Sequence, residues 1–328
     1  MEESTKKYRI AICGYGNLGK GIESEITKNS DMELVCIFSR RKNLETKSNV
    51  PVVSIEEKEQ WKDKVDIVVL CGGSATDLPI QGPEFAQYFN TIDSFDTHAK
   101  IPEYYNNVNQ AALSGDNISI ISVGWDPGLF SINRAYMNSI LPNGDTYTFW
   151  GKGVSQGHSD ALRRIPGVKN AIQYTIPYEN AVNAARSGTR PTLTTKEKHY
   201  RVCYVVLNEN ADKTKIENEI INMPNYFADY NTKVNFISEE ELLKNHKGIP
   251  HGGFVIRSGI TGNNTNQVME YSLKLESNPE FTASVLLTYA RAACRLYKNG
   301  DRGCKTVLDI APGLLSNKSR ENLIKELL

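Results

Sequence analysis

Short apolar runs alternate with stretches of helical periodicity over the first 125 residues. The runs cover residues 9–13, 33–39, 66–71, 90–93 and 118–123. The first, third and last runs are almost entirely apolar, which is typical of parallel strands covered by helices on both faces. Strands that alternate with helices are joined by right-handed crossovers. The pattern therefore predicts an α/β fold in which residues 1–125 form a doubly wound Rossmann-type parallel sheet.

The pattern changes after residue 125. Longer, partly alternating runs appear at 146–150, 198–207, 233–237, 254–258 and 268–275, with modest helices at 178–186, 213–222 and 239–245. Partial alternation predicts a mixed or antiparallel open sheet with one face packed on helices. We therefore expect a second, α+β domain over residues 126–299, which includes a helix at about 279–298. By fold analogy, the segment from about 300 to 328 returns to the first domain.

Composition narrows the class of protein. A chain of 328 residues suits two domains better than one core. Lys+Arg and Asp+Glu both total 38, without a basic stripe, which argues against a nucleic-acid partner. No run approaches the roughly 18 apolar residues of a membrane helix, and the polar N-terminus argues against a secretory signal. The six cysteines form no CxxC pair, so reduced thiols, no metal site and a cytoplasmic location are expected.

A glycine-rich turn joins the first predicted strand to the first helix. It comprises Gly14, Tyr15, Gly16, Asn17, Leu18 and Gly19. Gly14 permits the tight turn, Gly16 lets the backbone approach a pyrophosphate, and Gly19 lets helix and strand pack closely. The helix N-terminus then offers free N–H groups to the phosphates. A plain turn is the alternative, but the position between strand and helix favours a dinucleotide site.

The end of the second predicted strand indicates which dinucleotide binds. NAD-binding proteins carry Asp or Glu there, bonded to the ribose 2′-hydroxyl. This chain carries Ser39, Arg40 and Arg41 instead. Two guanidinium groups and a hydroxyl suit a 2′-phosphate, although a solvated basic loop is an alternative. We therefore predict NADP as the cofactor.

Three further strand ends supply candidates for the cofactor crevice. They are Cys71, Gly72, Gly73 and Ser74; Ser94, Phe95 and Asp96; and Val123, Gly124, Trp125, Asp126 and Pro127. Small residues at such an end leave room for a cofactor, although a plain strand-to-helix turn also uses them. The carboxylates of Asp96 and Asp126 are expected at the nicotinamide end, to hold a substrate ammonium or act as a base. A helix N-cap is an equally good interpretation of either residue alone.

Several longer segments resemble the meso-diaminopimelate dehydrogenase family. They are the glycine turn and residues 37–41, 124–128, 148–151, 155–168, 250–253 and 278–284. The resemblance spans nearly the whole chain, and the segment 155–168 is much more specific than the glycine turn. It implies NADP-dependent, reversible oxidation of the D-centre of meso-2,6-diaminopimelate to L-2-amino-6-oxopimelate, ammonia and NADPH. This reaction belongs to lysine and cell-wall precursor metabolism, and the resemblance implies a homodimer whose second domain binds substrate and forms the dimer contact.

Position by position, the resemblance also implies a set of substrate-binding residues. It comprises Asp96, Trp125, Asp126, Trp150, Gln156, Gly157, Thr175, Arg201, His251 and Asn278. Asp96 and Asp126 would lie near the reacting centre, and which of them is the catalytic base stays open. Thr175, Arg201 and His251 would bind the carboxylate of the distal L-centre. Taken singly, each has a structural alternative, such as an exposed strand charge or a helix cap.

Two other functions fit parts of the sequence. One is another two-domain NADP-dependent reductase, of the dihydrodipicolinate reductase or homoserine dehydrogenase type. Such an enzyme shares the glycine turn but need not share the segment 155–168. The other is a non-catalytic NADP sensor on the same fold. The paired acids Asp96 and Asp126 argue against a sensor, which needs no ammonium site.

Overall fold

The computed structural model describes residues 7–41 and 43–328. Residues 1–6, on which part of the argument against a secretory signal rests, lie outside the described residues, as does Lys42. Up to Ile140 the elements are β1 Tyr8–Cys13, α1 Asn17–Ile26, β2 Met32–Ser39, β3 Val52–Ser54, β4 Ile67–Leu70, α2 Leu78–Ala86, β5 Thr91–Asp93, α3 Ile101–Ser114, β6 Ile118–Ile120 and α4 Leu129–Ile140.

The rest of the chain contributes the remaining strands and helices. They are β7 Gly144–Trp150, β8 Gly153–Val154, α5 Gln156–Arg163, β9 Val168–Pro177, α6 Glu179–Arg186, α7 Thr195–Lys198, β10 His199–Leu207, α8 Lys213–Ile221, β11 Asn231–Phe236, α9 Glu239–Asn245, β12 His251–Thr261, β13 Thr265–Leu275, α10 Asn278–Lys298, β14 Gly303–Lys305 and α11 Arg320–Leu327. Among the described helices, none is both long enough and apolar enough to cross a membrane.

The chain divides into two compact units. One comprises the chain up to Ile132 together with Pro279–Leu328, and the other is Asn133–Asn278. These bounds differ from the expected boundaries at residues 125 and 299 mainly in α10. Six apolar side chains of α10, among them Ala283, Leu286 and Ala290, are fully buried in a core shared with β1 and β4. Helical periodicity predicts that such a face is buried, but it does not say in which core.

Seven parallel strands form the sheet of the first unit, in the order β14-β6-β5-β4-β1-β2-β3. Alternate residues of β1 enter two different cores: Ile10 and Ile12 face one, and Ala11 and Cys13 face the other. Both faces of the sheet are therefore covered, as its apolar strands predict. The strand order reverses between β1 and β4, and doubly wound sheets bind ligands beyond the carboxyl ends of the strands at such a reversal. The expected Rossmann-type sheet is confirmed.

A buried arginine secures α10 within the first unit. The guanidinium of Arg291 donates to both carboxylate oxygens of Asp31, over 2.6 and 2.8 Å, and to the carbonyl of Leu315 over 2.9 Å. Only 3% of Arg291 is exposed. A buried charge is tolerated when its donors are satisfied in this way. The hydrogen bonds thus join α10 to the residue before β2 and to the C-terminal segment.

The second unit contains two sheets. Strands β11-β10-β9-β8 form a mixed sheet, in which β10 and β11 run parallel, and β13-β12-β7 form an antiparallel one. This confirms the expected α+β architecture with mixed or antiparallel pairing. The sequence did not predict β9 as a strand. Its register with β10 places Thr175 directly opposite Arg201.

Candidate active site

The glycine turn after β1 has one closed side and one open side. Gly14 has φ +94°, and a Cβ on Gly19 would lie 2.3 Å from the Gly14 carbonyl oxygen. A Cβ on Gly16 would have nothing within 4 Å. Gly16 is also the N-cap of α1 and supplies no side-chain hydrogen bond to the first turn. The first-turn N–H groups of α1 and the open space at Gly16 therefore fit a phosphate group.

The loop after β2 is bonded directly to this turn. Arg41 donates from its backbone N–H to Ser39 Oγ over 2.9 Å, and from its guanidinium to the Tyr15 carbonyl over 2.7 Å. Arg40 donates to Asp77 Oδ1 over 2.8 Å, while Asp77 Oδ2 accepts the Gly73 N–H over 2.9 Å. The side chain of Arg40 is 73% exposed, so its guanidinium is accessible to a ligand. The predicted basic residues are thus brought together with the turns after β1 and β4.

A buried carboxylate that the sequence analysis missed anchors this loop. Glu23 in α1 is 3% exposed and accepts the Tyr15 hydroxyl. Its Oε1 also accepts the backbone N–H groups of Lys47 and Ser48, each over 2.9 Å, and the Ser48 hydroxyl over 2.6 Å. A charged residue on the apolar stripe of α1 was the available signal. Because the Tyr15 side chain is used here, only its backbone is left to contact a cofactor.

The two candidate acids follow adjacent strands, β5 and β6. Asp96 is exposed, and its N–H donates to Ser74 Oγ over 2.8 Å. Asp126 is half-buried, and the neighbouring Trp125 is 8% exposed, with its ring centroid 5.2 Å from that of Phe130. Carboxyl ends of parallel strands share one edge of the sheet, so both acids belong to the edge that carries the glycine turn.

The other predicted cofactor residues lie at the same edge. Asn17 and Leu18 begin α1, Cys71 and Gly72 follow β4, Ser94 and Phe95 follow β5, and Val123, Gly124 and Pro127 follow β6. Phe95 and Val123 are 1% and 0% exposed, so their side chains belong to the core. These two residues offer a cofactor only their backbone.

In the second unit, Arg201 is a buried cation without an acidic partner. It is 6% exposed, donates to Thr175 Oγ1, and lies with its guanidinium carbon 3.9 Å from the centroid of the Tyr230 ring. Within the described chain it forms no ion pair, and its Nε has no hydrogen-bond partner. By contrast, Arg257, also 6% exposed, donates to the carbonyls of Leu141 and Pro142. Because an unpaired buried charge is costly, the surroundings of Arg201 fit an anionic ligand.

Polar side chains that the sequence analysis missed surround Arg201. Gln173 is fully buried, donates to Thr175 Oγ1 over 3.4 Å, and leaves its Oε1 without a partner. Its spacing of two residues from Thr175, on the same face of β9, was the signal for it. His199 is 1% exposed; its Nε2 accepts the Trp150 N–H over 2.8 Å, and the two rings stack at 5.3 Å.

Burial and the charge of Arg201 keep two histidines of this unit neutral. Desolvation, and then Arg201, lower the pKa of His158 to about 4 and that of His199 to about 3. Neither ring therefore adds positive charge near neutral pH. Arg201 is therefore the buried cation beside these two rings.

The strand register brings several predicted substrate residues together. Thr175 pairs with Gly153 of β8, and a Cβ on Gly153 would lie 2.5 Å from the ring of His251. Trp150 pairs with Gly253, two residues after His251. The remaining candidates lie at helix starts: Gln156 and Gly157 are exposed at the start of α5, and Asn278 begins α10 with its N–H bonded to the Ile249 carbonyl over 3.0 Å.

The Rossmann-type sheet with its glycine turn and basic loop, and the second unit with its buried cation Arg201, are the features of a two-domain nicotinamide-dinucleotide oxidoreductase. Residues 124–277 match the profile of the diaminopimelic acid dehydrogenase C-terminal domain. The meso-diaminopimelate D-dehydrogenase of Ureibacillus thermosphaericus is 63% identical over 98% of this chain and 99% of that protein. The chain belongs to the diaminopimelate dehydrogenase family, which confirms the resemblance seen in the sequence.

Solved structures agree with this assignment. The DAP dehydrogenase of Corynebacterium glutamicum in complex with DAP is 49% identical, with a TM-score of 0.94 over 98% of this chain and 100% of that chain. An engineered D-amino acid dehydrogenase bound to NADP+ is 47% identical, with a TM-score of 0.88 over 98% of this chain and 100% of that one. The two-domain fold is therefore that of these dehydrogenases.

The neutral His199 predicts a pH dependence of stability. Its pKa is about 3 in the folded chain against an ordinary value of 6.5, so below pH 6.5 the unfolded state binds the additional proton. The free energy of unfolding should therefore decrease as the pH is lowered below 6.5. His199 contributes up to about 1.4 kcal/mol of this decrease per pH unit. The measurement is urea unfolding between pH 7 and pH 5.

His199→Gln keeps an acceptor for the Trp150 N–H and should reduce this slope. His98→Gln, at an exposed histidine of the first unit, is the reference for the loss of a histidine as such. An identical slope in His199→Gln and in the reference variant would show that His199 is not held neutral.

Proposed function

We propose that this chain oxidises the D-configured centre of meso-2,6-diaminopimelate with NADP+, giving L-2-amino-6-oxopimelate, ammonia and NADPH in a reversible reaction. The enzyme is an amino-acid dehydrogenase that acts on a CH–NH2 group, and NADP is its cofactor; the engineered relative named above is bound to NADP+. The observation that carries the assignment of the site is Arg201, a buried cation without an acidic partner in the described chain. A substrate with a carboxylate at each end supplies the missing anion.

The residues after β1 and β2 fit NADP. The uncapped N-terminus of α1 and the open space at Gly16 suit the pyrophosphate. Ser39, Arg40 and Arg41 suit the 2′-phosphate, because guanidinium groups form charge-assisted forked bonds to phosphate oxygens. When bound, NADP+ supplies the hydride-accepting chemistry, and the protein supplies orientation and charge.

At the reacting end of the substrate, Asp96 and Asp126 are assigned to the ammonium group. Hydride loss from the α-carbon requires a neutral amine whose lone pair is available. One carboxylate therefore takes the ammonium proton, and the other holds the group in place. Water then adds to the resulting iminium carbon of the substrate, and ammonia departs. Trp125, the neighbour of Asp126 in the chain, is 8% exposed and is assigned to the same end of the substrate.

At the distal end, Arg201 is assigned to the carboxylate of the L-centre. Thr175, already hydrogen-bonded to Arg201, and His251, which borders the same strands, complete that carboxylate site. The remaining assigned contacts to the substrate are made by Trp150, Gln156, Gly157 and Asn278. Such contacts to a non-reacting end position the α-carbon for hydride transfer.

We further propose that the enzyme is a homodimer in the cytoplasm. Strand β13 is an edge strand of 11 residues, and most of them are exposed. A long exposed edge offers backbone groups for pairing and is usually covered in the working assembly. All six cysteines carry free thiols, which suits a reducing compartment.

Substrate stereochemistry tests the assigned reaction directly. With NADP+, the enzyme should form NADPH from meso-2,6-diaminopimelate, whereas kcat/KM for the LL isomer should be at least about 100-fold lower. Only the meso form offers a D-centre for oxidation while an L-centre occupies the distal site. The measurement is NADPH absorbance. Comparable turnover of the LL isomer would contradict the assignment of the distal site.

Cofactor choice tests the basic loop. Arg40→Ala combined with Arg41→Ala should raise KM for NADP about 10- to 100-fold, with a much smaller change for NAD. Loss of bonds to a charged group costs about 1.5–3 kcal/mol each, and exposure of Arg40 reduces that cost. Lys62→Ala with Lys64→Ala, at two exposed lysines of the same unit, removes equal charge elsewhere. An unchanged NADP/NAD ratio in the arginine variant would exclude these residues from the 2′-phosphate site.

Arg201→Met tests the distal carboxylate site. It keeps the apolar stem but leaves the substrate carboxylate without its charged partner. We expect kcat/KM for meso-diaminopimelate to fall by about 3–5 kcal/mol, or two to four powers of ten, while NADP affinity in a fluorescence titration hardly changes.

Arg257→Met is the matched control for Arg201→Met, because Arg257 is equally buried but bonded to backbone carbonyls. It should lower stability and leave kcat/KM within about threefold of the wild type. Near-normal kcat/KM in folded Arg201→Met would remove Arg201 from the site.

A further inference from the structure

A buried carboxylate precedes Asp96 by three residues and is bonded to the segment that carries Asp126. Asp93, the last residue of β5, is 1% exposed. Its Oδ1 accepts the backbone N–H groups of Phe95, over 2.9 Å, and Ser122, over 3.1 Å. Its Oδ2 accepts the hydroxyl of Tyr104 over 2.7 Å, and its carbonyl accepts the Val123 N–H over 2.9 Å. We call these groups the Asp93 cluster.

The cluster joins the two segments that carry the acids. Phe95 immediately precedes Asp96, and Ser122 lies four residues before Asp126. Ser122 has φ +56°, a conformation that residues with side chains rarely adopt and that persists only where the surrounding structure holds it. Ladder pairing between β5 and β6 ends before these segments, at Ile92 and Ile120. Beyond the ladder, Asp93 bonds the first segment to the second through both its carboxylate and its backbone carbonyl.

The surroundings of Asp93 are fitted to its ionised form. Burial raises the pKa of Asp93 to about 6, while hydrogen bonds from Phe95, Tyr104 and Ser122 act in the opposite direction. At pH 8 the carboxylate is therefore ionised, and its hydrogen bonds are charge-assisted. A Cβ at Gly82 in α2 would lie 2.0 Å from the Tyr104 hydroxyl oxygen, so this glycine makes room for that hydroxyl. The rings of Phe95 and Tyr104 stack at 4.1 Å.

We propose that Asp93 is a positioning residue that holds Asp96 and Asp126 in register with each other through the N–H groups of Phe95 and Ser122. The inference rests on the proposed function, in that these two acids contact the substrate ammonium. Asp93 itself does not touch substrate. Its loss displaces the acids and the nearby backbone of Phe95 and Val123, which faces the nicotinamide end of the cofactor, but leaves the phosphate-facing glycine turn and basic loop unchanged. We therefore expect kcat to fall much more than NADP affinity.

Four variants separate positioning from simple support of the fold. Asp93→Ala leaves two buried N–H groups without an acceptor and should lower kcat about 100-fold, the scale of a displacement of about 1 Å. Asp93→Asn should recover kcat to within about tenfold of wild type, because its amide oxygen still accepts both N–H groups and its NH2 donates to Tyr104. Tyr104→Phe keeps the stacked ring and should lie between wild type and Asp93→Ala.

Thr91→Val is the matched control. Thr91 Oγ1 and Ser119 Oγ form a buried hydrogen bond of 2.7 Å between the same two strands, away from their carboxyl ends. Its loss should lower Tm but leave kcat within about twofold of wild type. NADPH affinity, measured by fluorescence titration, should fall by no more than about tenfold in the Asp93 and Tyr104 variants and stay within about threefold of wild type in Thr91→Val.

Hydrogen exchange of the cofactor-free protein tests the cluster without any turnover. Peptides that contain residues 94–97 and 121–126 should exchange faster in Asp93→Ala and in Tyr104→Phe, but not in Thr91→Val. If Asp93→Ala does not fold, Tyr104→Phe decides: reduced kcat with faster exchange supports the inference, and wild-type kcat with wild-type exchange overturns it.

Two other outcomes overturn the inference. One is a folded Asp93→Ala with kcat within about threefold of wild type. The other is a Thr91→Val that loses as much kcat as Asp93→Ala at an equal loss of Tm. A failure of the proposed function can be told apart from a failure of this inference. Full activity of both Asp96→Asn and Asp126→Asn would refute the ammonium site, and this result does not depend on the hydrogen exchange of Asp93→Ala.

Discussion

Because all seven strands of the first sheet run in one direction, their carboxyl ends share a single edge, and the positions of the functional groups depend on this constraint. The glycine turn lies where the strand order reverses, between β1 and β4. The basic loop follows β2 on one side of that point, and the acid-bearing segments follow β5 and β6 on the other. Four strand spacings of about 4.8 Å separate β2 from β6, so roughly 20 Å lie between the basic loop and the segment that carries Asp126.

The zero net charge of the chain conceals a local separation of charge. The first unit presents the carboxylates of Asp96 and Asp126, and the second unit holds Arg201 without a counter-charge in the described chain. The neutral state of His199 preserves this arrangement, since a protonated ring beside Arg201 would add like-charge repulsion. A substrate with ammonium and carboxylate groups at both ends requires sites of both signs. Arg257 shows that burial of an arginine does not by itself indicate an anion-binding site, because the Arg257 guanidinium already donates to backbone carbonyls.

Local patterns predicted the first sheet, the glycine turn and the strand-end acids, because each depends on neighbouring residues. Strand β9 was missed because Lys169, Asn170 and Gln173 interrupt its apolar positions, so no apolar run marks it. The unit to which α10 belongs was assigned incorrectly from periodicity, which identifies a buried face but not its partner. The sequence did not reveal the roles of Glu23, Asp93 and Gln173. The first two hydrogen-bond to residues elsewhere in the chain, and the third lies on the strand β9 that was not predicted. Arg201 and Thr175 were proposed through family resemblance, and their pairing became visible only in the register of β9 with β10.

The interleaved path of the chain has a consequence for biosynthesis. The Arg291–Asp31 bond joins residues 260 positions apart, and β14 pairs with β6 from beyond the whole second unit. Synthesis proceeds from the N-terminus at about 5–20 residues per second. The interval between the synthesis of β6 and that of β14, which completes its sheet, is therefore roughly 10–40 s. During that interval the apolar face later covered by α10 is exposed on the ribosome-bound chain. The continuous second unit can fold meanwhile, and the half-built first unit is the stage at which aggregation competes with folding.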